Sequence, residues 1–518
     1  MHRAKPLLGR ATVLAALLPI AVAAGEPAPL QQRLQEALGQ ASAPDTVWGA
    51  VVMRGDGFPI FSTNAHRAFI PASNTKLFIA AMALDRLGPE ARLVTPIRVE
   101  RTPDAKGTLH SDLWIVGQGD PTVGFTPGNP KDGSGTTEGH SGRATAGDEI
   151  FAPWVTAWQS RGLKRIDGDL VLCDAAVRLP GYGPGWDDED RAEWYGAPVS
   201  AFVVHDNTFR VVAPPIVAGA TSVSFRVEPP LPSLSVEWRV LPGTNATHRI
   251  QYGRPTPGGP LEFRGRLAAG TSGWSAEVAM ADPPQTFGEW LQRALEQRGV
   301  PVSGKVRVVH GWEGVPPVTW DERPSETLGR RLALCLKPSQ NLHAQLLLAE
   351  VGRQAEREQA PGTSPTPARR HDEWGLAQLP AFLARAGISN TAVRLEEGSG
   401  LSRGNRVTPA ATVQLLRFMG VHRQHRVWKD SLPVGGVDGT LRHRFRTGPA
   451  HGKVRAKTGS LRGVHALGGY VTTAQGEELT FAVYANQSQA DPRARAALDR
   501  FVEVLATAAD RPPDPPPR

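Results

Sequence analysis

The stretch Pro71-Ala72-Ser73-Asn74-Thr75-Lys76-Leu77 leads directly into an apolar run over residues 78–84. Proline followed by serine and asparagine is typical of a helix start, and Leu87-Gly88-Pro89 is typical of a helix end. The pattern therefore predicts a hydrophobic helix with Ser73 at its N-terminus. Lys76 follows one turn later on the same face of that helix.

Ser73 and Lys76 together suggest a nucleophile with its own base. A serine hydroxyl is a poor nucleophile near neutral pH and needs a neighbouring base. A lysine desolvated against an apolar helix loses its proton more easily and can take that role. The helix N-terminus adds N–H groups where an oxyanion would form. The same spacing is also typical of a plain N-cap followed by a solvated lysine, so alone it leaves the function open.

A second motif, Lys337-Pro338-Ser339-Gln340-Asn341, lies between two predicted helices. Ser339 and Asn341 are two residues apart in a turn and can project into one cleft. A second hydroxyl can relay the proton of a leaving group, and an asparagine amide can bind a substrate amide. An ordinary serine N-cap would look the same, and Ser62-Thr63-Asn64 has this spacing at the end of a predicted strand.

A third motif, Lys457-Thr458-Gly459-Ser460, lies on a predicted strand. We expect Lys457 at an exposed strand edge beside the cleft, where its charge would hold a substrate carboxylate. Gly459 removes a side chain where backbone approaches closely, and the Ser460 N–H is a candidate second oxyanion donor. An edge strand with a solubilising lysine and a turn glycine is the alternative interpretation.

The order of the three motifs is found in penicillin-binding proteins and class A β-lactamases. The chain resembles the class C low-molecular-mass penicillin-binding proteins, the D-alanyl-D-alanine carboxypeptidase/endopeptidase family. The long separation of Ser73 from Ser339 fits the domains that this family inserts there. Further matching segments are Gly119-Asp120-Pro121-Thr122, Tyr195-Gly196-Ala197-Pro198-Val199-Ser200-Ala201, Gly398-Ser399-Gly400-Leu401-Ser402-Arg403 and Leu432-Pro433-Val434-Gly435-Gly436-Val437-Asp438-Gly439-Thr440-Leu441.

The resemblance implies an α/β (α+β) fold: a penicilloyl-serine-transferase-like domain whose antiparallel sheet is flanked by helices and split by a large β-rich insertion. It implies that Ser73 is the acylated nucleophile and Lys76 its base. Ser339 and Asn341 would relay protons and hold substrate. The carboxylate pocket would be lined by Lys457, Thr458, Gly459 and Ser460.

The family also places an acidic and an aromatic residue of the insertion over the cleft, towards the peptide side chain. Asp190 and Tyr195 match these positions. The acidic run leaves Asp187 and Asp188 as alternative registers, and a solvated acidic loop as an alternative role. The chain departs from the family pattern at three positions: Ser460 replaces threonine, Glu397 replaces aspartate, and Gln340 fills the variable middle of the second motif.

The segments of the chain differ in composition. A basic start, an apolar run and small residues predict a signal peptide over residues 1–24. Strand-like runs punctuated by glycine and proline predict an inserted β-rich region over 93–283. The transpeptidase-like domain would then comprise 25–92 and 284–509. The proline-rich residues 510–518 are predicted to be a disordered tail.

Charge and hydropathy indicate which kinds of partner and which location the protein can have. The chain has 518 residues, 58 of them basic and 50 acidic, with a net charge of +8. No dense basic run indicates nucleic-acid binding, whereas the mild excess is compatible with peripheral association with a wall or membrane. No segment after residue 24 approaches 18 apolar residues, so we expect no transmembrane anchor and a periplasmic or secreted protein. Whether Cys173 and Cys335 pair is left open.

These features predict a serine D,D-peptidase that acts on peptidoglycan stem peptides, is acylated by β-lactam antibiotics and uses no metal or cofactor. A β-lactamase or esterase on the same fold is the alternative, because the motifs do not encode the deacylation rate. They also leave open the balance of carboxypeptidase and endopeptidase action. An inactive wall-binding scaffold is disfavoured by the intact motifs, and a metallopeptidase by the lack of a His-Glu-x-x-His motif.

Overall fold

The computed structural model describes residues 29–39, 46–124, 147–244, 247–256, 258–359, 369–488 and 491–508. The predicted signal peptide and the predicted tail lie outside these residues. The described chain is mixed α/β, as predicted. No helix in these ranges is long and apolar enough to cross a membrane.

The first segment consists of a helix, a hairpin and the predicted hydrophobic helix. Its elements are α1 (Leu30–Gly39), β1 (Val47–Arg54), β2 (Pro59–Thr63) and α2 (Thr75–Leu87). Helix α2 is buried without interruption from Thr75 to Leu84, which explains why it is apolar all round rather than along one stripe. Gly88 ends the helix with a φ of 78°, a conformation that glycine adopts without strain.

The inserted region is rich in short strands, as predicted, but it also contains helices. Its elements are β3 (Val94–Val99), β4 (Thr108–Leu109), β5 (Leu113–Val116), α3 (Gly147–Ile150), α4 (Ala152–Ser160), β6 (Arg165–Ile166), β7 (Leu170–Cys173), β8 (Thr208–Ala213), β9 (Arg226–Glu228), β10 (Val236–Gly243), β11 (Arg249–Gly253), β12 (Leu261–Ala268), β13 (Trp274–Ala279), α5 (Pro283–Gln297), β14 (Val306–Val309) and β15 (Val318–Pro324). The main sheet has the order β14-β7-β5-β3-β15, and two three-stranded sheets accompany it.

The packing of this region does not end at the predicted boundary, residue 283. Strand β14 pairs in parallel with β7, and β15 pairs antiparallel with β3. Helix α5 contributes Phe287 to the same core, where its ring meets that of Phe202 edge to face with centroids 5.1 Å apart. We therefore propose that the inserted region spans 93–324 rather than 93–283.

The last segment of the chain shares a sheet with the first one. Its elements are α6 (Leu328–Leu336), α7 (Asn341–Arg357), α8 (His371–Leu376), α9 (Leu379–Arg385), β16 (Val393–Arg394), β17 (Arg406–Val407), α10 (Pro409–Gly420), α11 (His425–Ser431), β18 (Val454–Leu461), β19 (Val464–Thr472), β20 (Glu478–Asn486) and α12 (Asp491–Ala506). Helix α8 ends before Pro380, which lies in the first turn of α9, where its missing N–H costs no hydrogen bond.

The central sheet joins the two outer segments in the order β18-β19-β20-β1-β2, with every pair antiparallel. Helices α1 and α12 cover one face of the sheet. Helix α10 covers the other face, and a helical core that includes α2, α6 and α7 lies beyond it. This arrangement brings the N-terminus of α2 against β18, which places the first and third sequence motifs side by side.

Candidate active site

Ser73 lies in a tight turn, Ala72–Asn74, immediately before α2. Two glycines let other backbone segments approach this turn. A Cβ on Gly400 would lie 2.0 Å from the Ala72 carbonyl oxygen, and one on Gly459 would lie 2.6 Å from that of Pro71. Ala72 itself has a φ of 46°, which costs an alanine about 1 kcal/mol. The surrounding segments thus hold the turn of Ser73 in a strained conformation.

Lys76 is fully buried and donates three hydrogen bonds. Its Nζ lies 2.9 Å from Ser73 Oγ, 2.6 Å from Asn341 Oδ1 and 2.5 Å from the Ser399 carbonyl oxygen. Burial lowers the pKa of Lys76 to about 8, although the nearby Cys335 and Glu397 act in the opposite direction. A substantial fraction of Lys76 is therefore neutral near pH 8, within reach of the Ser73 proton.

Ser339 and Asn341 lie at the junction of α6 and α7, close to the position that was predicted. Ser339 has a left-handed φ of 68°, and Asn341 is the first residue of α7. The side chain of Asn341 connects two parts of the molecule, because its Oδ1 accepts from Lys76 and its Nδ2 donates to the Tyr195 carbonyl oxygen at 2.8 Å. The second motif thus contacts both the first motif and the insertion.

Lys457 differs from the prediction in one respect: it is not exposed. Strand β18 is at the edge of the sheet, yet Lys457 is 0 % exposed. The segment over residues 433–440 covers the free edge of β18, through hydrogen bonds such as Gly435 N–H to the Val454 carbonyl at 2.9 Å. Lys457 Nζ donates to Ser339 Oγ at 2.7 Å and to the Thr458 carbonyl at 2.9 Å.

The electrostatics of Lys457 follow from that burial. Desolvation lowers the pKa of Lys457 well below its ordinary value, and the like charge of Lys76 lowers it further. A positive charge on Lys457 is therefore harder to maintain than the predicted exposed position would imply. An incoming carboxylate would restore that charge, because it would favour the protonated amine.

The rest of the third motif lines the same edge. The Thr458 hydroxyl donates to Thr440 Oγ1 at 2.8 Å, and the Thr458 side chain is almost buried. Ser460 is exposed and pairs with His465 across the β18–β19 hairpin. A Cβ on Gly459 would also lie 3.2 Å from Ser73 N, so the missing side chain allows β18 to approach the nucleophile.

The structure places Asp190 and Tyr195 next to the second motif. The Tyr195 hydroxyl donates to Asp190 Oδ1 at 2.9 Å, while the Tyr195 carbonyl accepts from Asn341. Burial and the Asp190 carboxylate both raise the pKa of the Tyr195 phenol. Gly196 allows this loop to close, since a Cβ there would lie 1.9 Å from the Asp190 carbonyl oxygen.

The two alternative carboxylates of this loop lie in a different environment. Asp187 and Asp188 are exposed, and Asp188 pairs with Arg191 at 2.6 Å. Asp190 is half-buried and forms no ion pair within the part of the chain that the structure describes. Of the three, Asp190 has the environment expected of a group that would receive a cation from a substrate.

The roles of two groups at the site were not predicted from the sequence. The Ser399 carbonyl receives Lys76, and the buried Glu397 holds the Ser399 backbone. The segment that contains Ser399 was matched to the family, but its backbone role was not foreseen. The two glycines on either side of Ser399 were the available signal, because they mark a turn that approaches other backbone closely.

A cavity of about 300 Å³ is lined by segments next in sequence to the first and third motifs, although no residue of the three motifs lines it. Ile70, which precedes Ser73 by three residues, lines it together with the β18–β19 turn. None of the cavity's arginines forms an ion pair with a described carboxylate, so the cavity is electropositive and suits a carboxylate or phosphate group. Its arginines are Arg67, Arg403, Arg406 and Arg462.

Comparison with known proteins gives a match over nearly the whole described chain. Residues 30–505 match the D-Ala-D-Ala carboxypeptidase 3 (S13) family. A D-alanyl-D-alanine carboxypeptidase of Actinomadura sp. (strain R39) is 30% identical over 504 residues, covering 92% of this chain and 84% of that protein. The D-alanyl-D-alanine carboxypeptidase DacB of Haemophilus influenzae is 26% identical over 331 residues, covering 63% of this chain and 67% of that protein.

Solved structures share the fold. The crystal structure of penicillin-binding protein 4 (dacB) from Haemophilus influenzae superposes with a TM-score of 0.73 at 22% sequence identity. The superposition covers 91% of this chain and 98% of that one. At this identity the likeness concerns the arrangement of sheets, helices and insertion.

Proposed function

The chain belongs to the D-Ala-D-Ala carboxypeptidase 3 (S13) family and is a serine hydrolase, and on that premise we propose that it cleaves the D-alanyl-D-alanine end of peptidoglycan stem peptides through an acyl-Ser73 intermediate. The observation that carries this proposal is the contact of Lys76 Nζ with Ser73 Oγ at 2.9 Å, made by a lysine whose pKa burial lowers to about 8. Such a lysine can act as the base that the serine needs.

Acylation begins when Ser73 Oγ attacks the carbonyl carbon of the penultimate D-alanine. The hydroxyl proton passes to the neutral amine of Lys76, and the carbonyl oxygen becomes an oxyanion. The N–H groups of Ser73 and Ser460 are the proposed donors to that oxyanion. The tetrahedral intermediate then collapses, the C–N bond breaks, and the proton that Lys76 received passes through the Ser339 hydroxyl to the leaving D-alanine amine.

Ser339 can pass on that proton because its Oγ accepts a hydrogen bond from Lys457 Nζ at 2.7 Å, which leaves its own hydroxyl proton for donation. In deacylation, water attacks the ester carbon and loses a proton to the neutral Lys76 amine, which passes it to Ser73 Oγ as the ester C–O bond breaks. A β-lactam would acylate Ser73 in the same way, but its ring-opened leaving group stays attached and blocks the attack of water.

Two features beside the nucleophile would select the peptide. Asp190 carries a half-buried carboxylate that would pair with a side-chain amine, with Tyr195 against its methylenes. The arginine cavity would take an anionic end of the peptide. Together they favour a stem peptide whose third residue carries both charges, or a cross-linked peptide that presents them from two chains.

The cellular location is part of the same proposal. Peptidoglycan lies outside the cytoplasmic membrane, and the sequence before residue 25 has the pattern of a secretory signal. We propose a periplasmic or secreted enzyme. The net charge of +8 would favour loose association with an anionic wall or membrane.

The test is the release of D-alanine from an acyl-tripeptide ending in D-Ala-D-Ala. Wild-type protein should release one D-alanine per peptide, and Ser73→Ala should release none. Ser62→Ala is the matched control, since Ser62 begins a Ser-x-Asn pattern on an exposed strand position and should keep full activity. Rapid turnover of penicillin without D-alanine release would instead indicate a β-lactamase.

A further inference from the structure

Glu397 is a carboxylate buried next to the proposed base. It is 1 % exposed and accepts six hydrogen bonds from the groups around it. A buried charge is costly unless it is paired or well hydrogen-bonded, so the burial of a carboxylate at this position needs a physical explanation. Its donors are Trp186 Nε1, Gln345 Nε2, Asn405 Nδ2, the backbone N–H groups of Ser399 and Gly400, and the Ser399 hydroxyl.

Three of these bonds fix one turn of the chain. Glu397 Oε2 accepts from Ser399 N–H at 2.7 Å and from the Ser399 hydroxyl, and Oε1 accepts from Gly400 N–H at 2.6 Å. With the backbone N–H groups held by the carboxylate, the Ser399 carbonyl is directed away from it. That carbonyl is the oxygen that receives Lys76 Nζ at 2.5 Å.

The remaining bonds tie the turn to the elements that carry the motifs. Gln345, one turn beyond Asn341 on α7, donates to Glu397 at 2.8 Å and accepts from Gly398 N–H at 3.2 Å. Asn405 donates to Glu397 at 2.7 Å and reaches Thr75, the neighbour of Lys76, at 3.4 Å. Glu397 is thus connected to both helices whose side chains meet at Lys76.

We infer that Glu397 is a positioning residue for Lys76, which it serves by holding the Ser399 carbonyl against the lysine amine and by placing a negative charge behind that carbonyl. This inference rests on the proposed function, because it assumes that Lys76 is the base for Ser73. Glu397 has no direct ion-pair partner in the described chain, and its charge acts on Lys76 through space.

The charged and titratable groups around Lys76 determine how replacement of Glu397 should change the pKa of that lysine. Cys335 on α6 and Glu397 raise the pKa of Lys76, whereas burial lowers it. Lys457 on β18 is a like charge close enough to be influenced by Lys76. Removal of the Glu397 charge should lower the pKa of Lys76. The neutral Lys76 amine that acylation needs should therefore form at a lower pH.

The test compares Glu397→Gln with wild type in the pH dependence of acylation by a fluorescent penicillin. We expect the acid limb of the rate profile to move down by about 0.5–1 pH unit. We also expect the plateau rate to fall about tenfold, since an amide cannot accept all six hydrogen bonds and the Ser399 carbonyl shifts. Glu397→Asp, which keeps the charge, should leave the acid limb in place.

Glu396→Gln is the matched control, because Glu396 accepts from Ser402 Oγ at 2.8 Å and does not contact the Ser399 turn. Glu396→Gln should leave both the acid limb and the plateau rate of the pH profile unchanged. If the acid limb of Glu397→Gln stays where it is in wild type, whatever the plateau does, the inference is overturned, because a merely structural role would change only the plateau.

Thermal melts show whether Glu397→Gln folds. If it does not fold, Gln345→Met is the second test. This variant keeps the Glu397 carboxylate but removes the hydrogen bonds of Gln345 to Glu397 and to Gly398 N–H. We expect a plateau at least threefold lower with an unmoved acid limb, and an unchanged plateau would overturn the inference. A wild-type protein that no penicillin acylates would refute the proposed function itself, and this inference with it.

Discussion

Lys457 Nζ donates a hydrogen bond to Ser339 Oγ over 2.7 Å, and this contact connects the second sequence motif to the third. The contact joins the edge of the central sheet to the loop between α6 and α7. Because Ser339 has a left-handed φ of 68°, the loop depends on such contacts to keep its conformation. Lys457 is therefore a structural group as well as a candidate for binding substrate.

Replacement of Lys457 by alanine should destabilise the protein by about 1–3 kcal/mol, because it leaves buried hydrogen-bond acceptors without a donor. The control is Lys453→Ala, at an exposed lysine just before β18, which should change stability by less than about 0.5 kcal/mol. Denaturant unfolding of the two variants measures both values. Equal, small effects would mean that the Lys457 contact contributes nothing.

The sequence predicted the elements that carry the motifs, because their signals are local. Helix α2 has a proline before its start, a continuous apolar run and a Gly-Pro end, and its predicted residues match the structure. The third motif lies on a strand, β18, as predicted. The side chains of Ser73, Lys76, Ser339 and Lys457 were predicted to converge. Their hydrogen bonds join them as two pairs, Lys76 with Ser73 and Lys457 with Ser339.

What the sequence did not predict depends on contacts between distant segments. Lysines are rarely fully buried, so nothing local indicates that residues 433–440 cover the edge of β18 and enclose Lys457. The Ser399 carbonyl is a backbone atom and has no side-chain signature. Helix α5 lies outside the predicted insertion because its partners in that core precede it by about a hundred residues.

Acylation of wild-type protein should speed up as the pH rises through about 8. The pKa of Lys76 is lowered to about 8, so the neutral amine that accepts the Ser73 proton is the minor form at pH 7 and the major form at pH 9. Stopped-flow rates with a fluorescent penicillin between pH 6 and 10 measure this limb. Lys76→Arg, which keeps the charge but cannot lose it, should be inactive throughout.

A rate that is constant from pH 6 to 9 would contradict the role of Lys76 as base. So would an active Lys76→Arg variant. Thermal melts of that variant at each pH serve as the control for folding, since an arginine must fit the buried site of a lysine.

Asp190→Asn should lower kcat/KM about tenfold for peptides that carry a free side-chain amine, if the pair contributes about 1.4 kcal/mol. Peptides with an acetylated amine should be cleaved at nearly the wild-type rate, because the Tyr195 hydrogen bond can be made by asparagine too. Asp188→Asn is the matched control on the same loop, where the carboxylate is exposed and paired with Arg191.

Equal losses of kcat/KM for both kinds of peptide would mean that Asp190 does not bind the side-chain amine. A selective loss in Asp188→Asn instead would move the assignment to the other register of the acidic run.

Arg462→Gln should weaken the cleavage of peptides that carry an extra side-chain carboxylate. Arg462 is exposed at the arginine cavity, two residues beyond Ser460 in the β18–β19 turn. We expect KM to rise about three- to tenfold for the carboxylate peptide and to change little for its amidated form, with a greater difference at low salt. Arg446→Gln, at an exposed arginine outside the cavity lining, is the control.

If amidated and carboxylate peptides respond alike to Arg462→Gln, the cavity does not bind that group. A uniform rise in KM for both would point to a change in the β18–β19 turn rather than to a lost charge.

The central claim is that Ser73 forms the acyl-enzyme, and peptide mapping by mass spectrometry after incubation with a penicillin tests it most directly. We predict one adduct per protein, on the peptide that contains Ser73. Ser73→Ala should form none while its melting temperature stays close to that of wild type, and Ser62→Ala should form it as wild type does. An adduct on any other serine, or one that persists in Ser73→Ala, would contradict the assignment of the nucleophile.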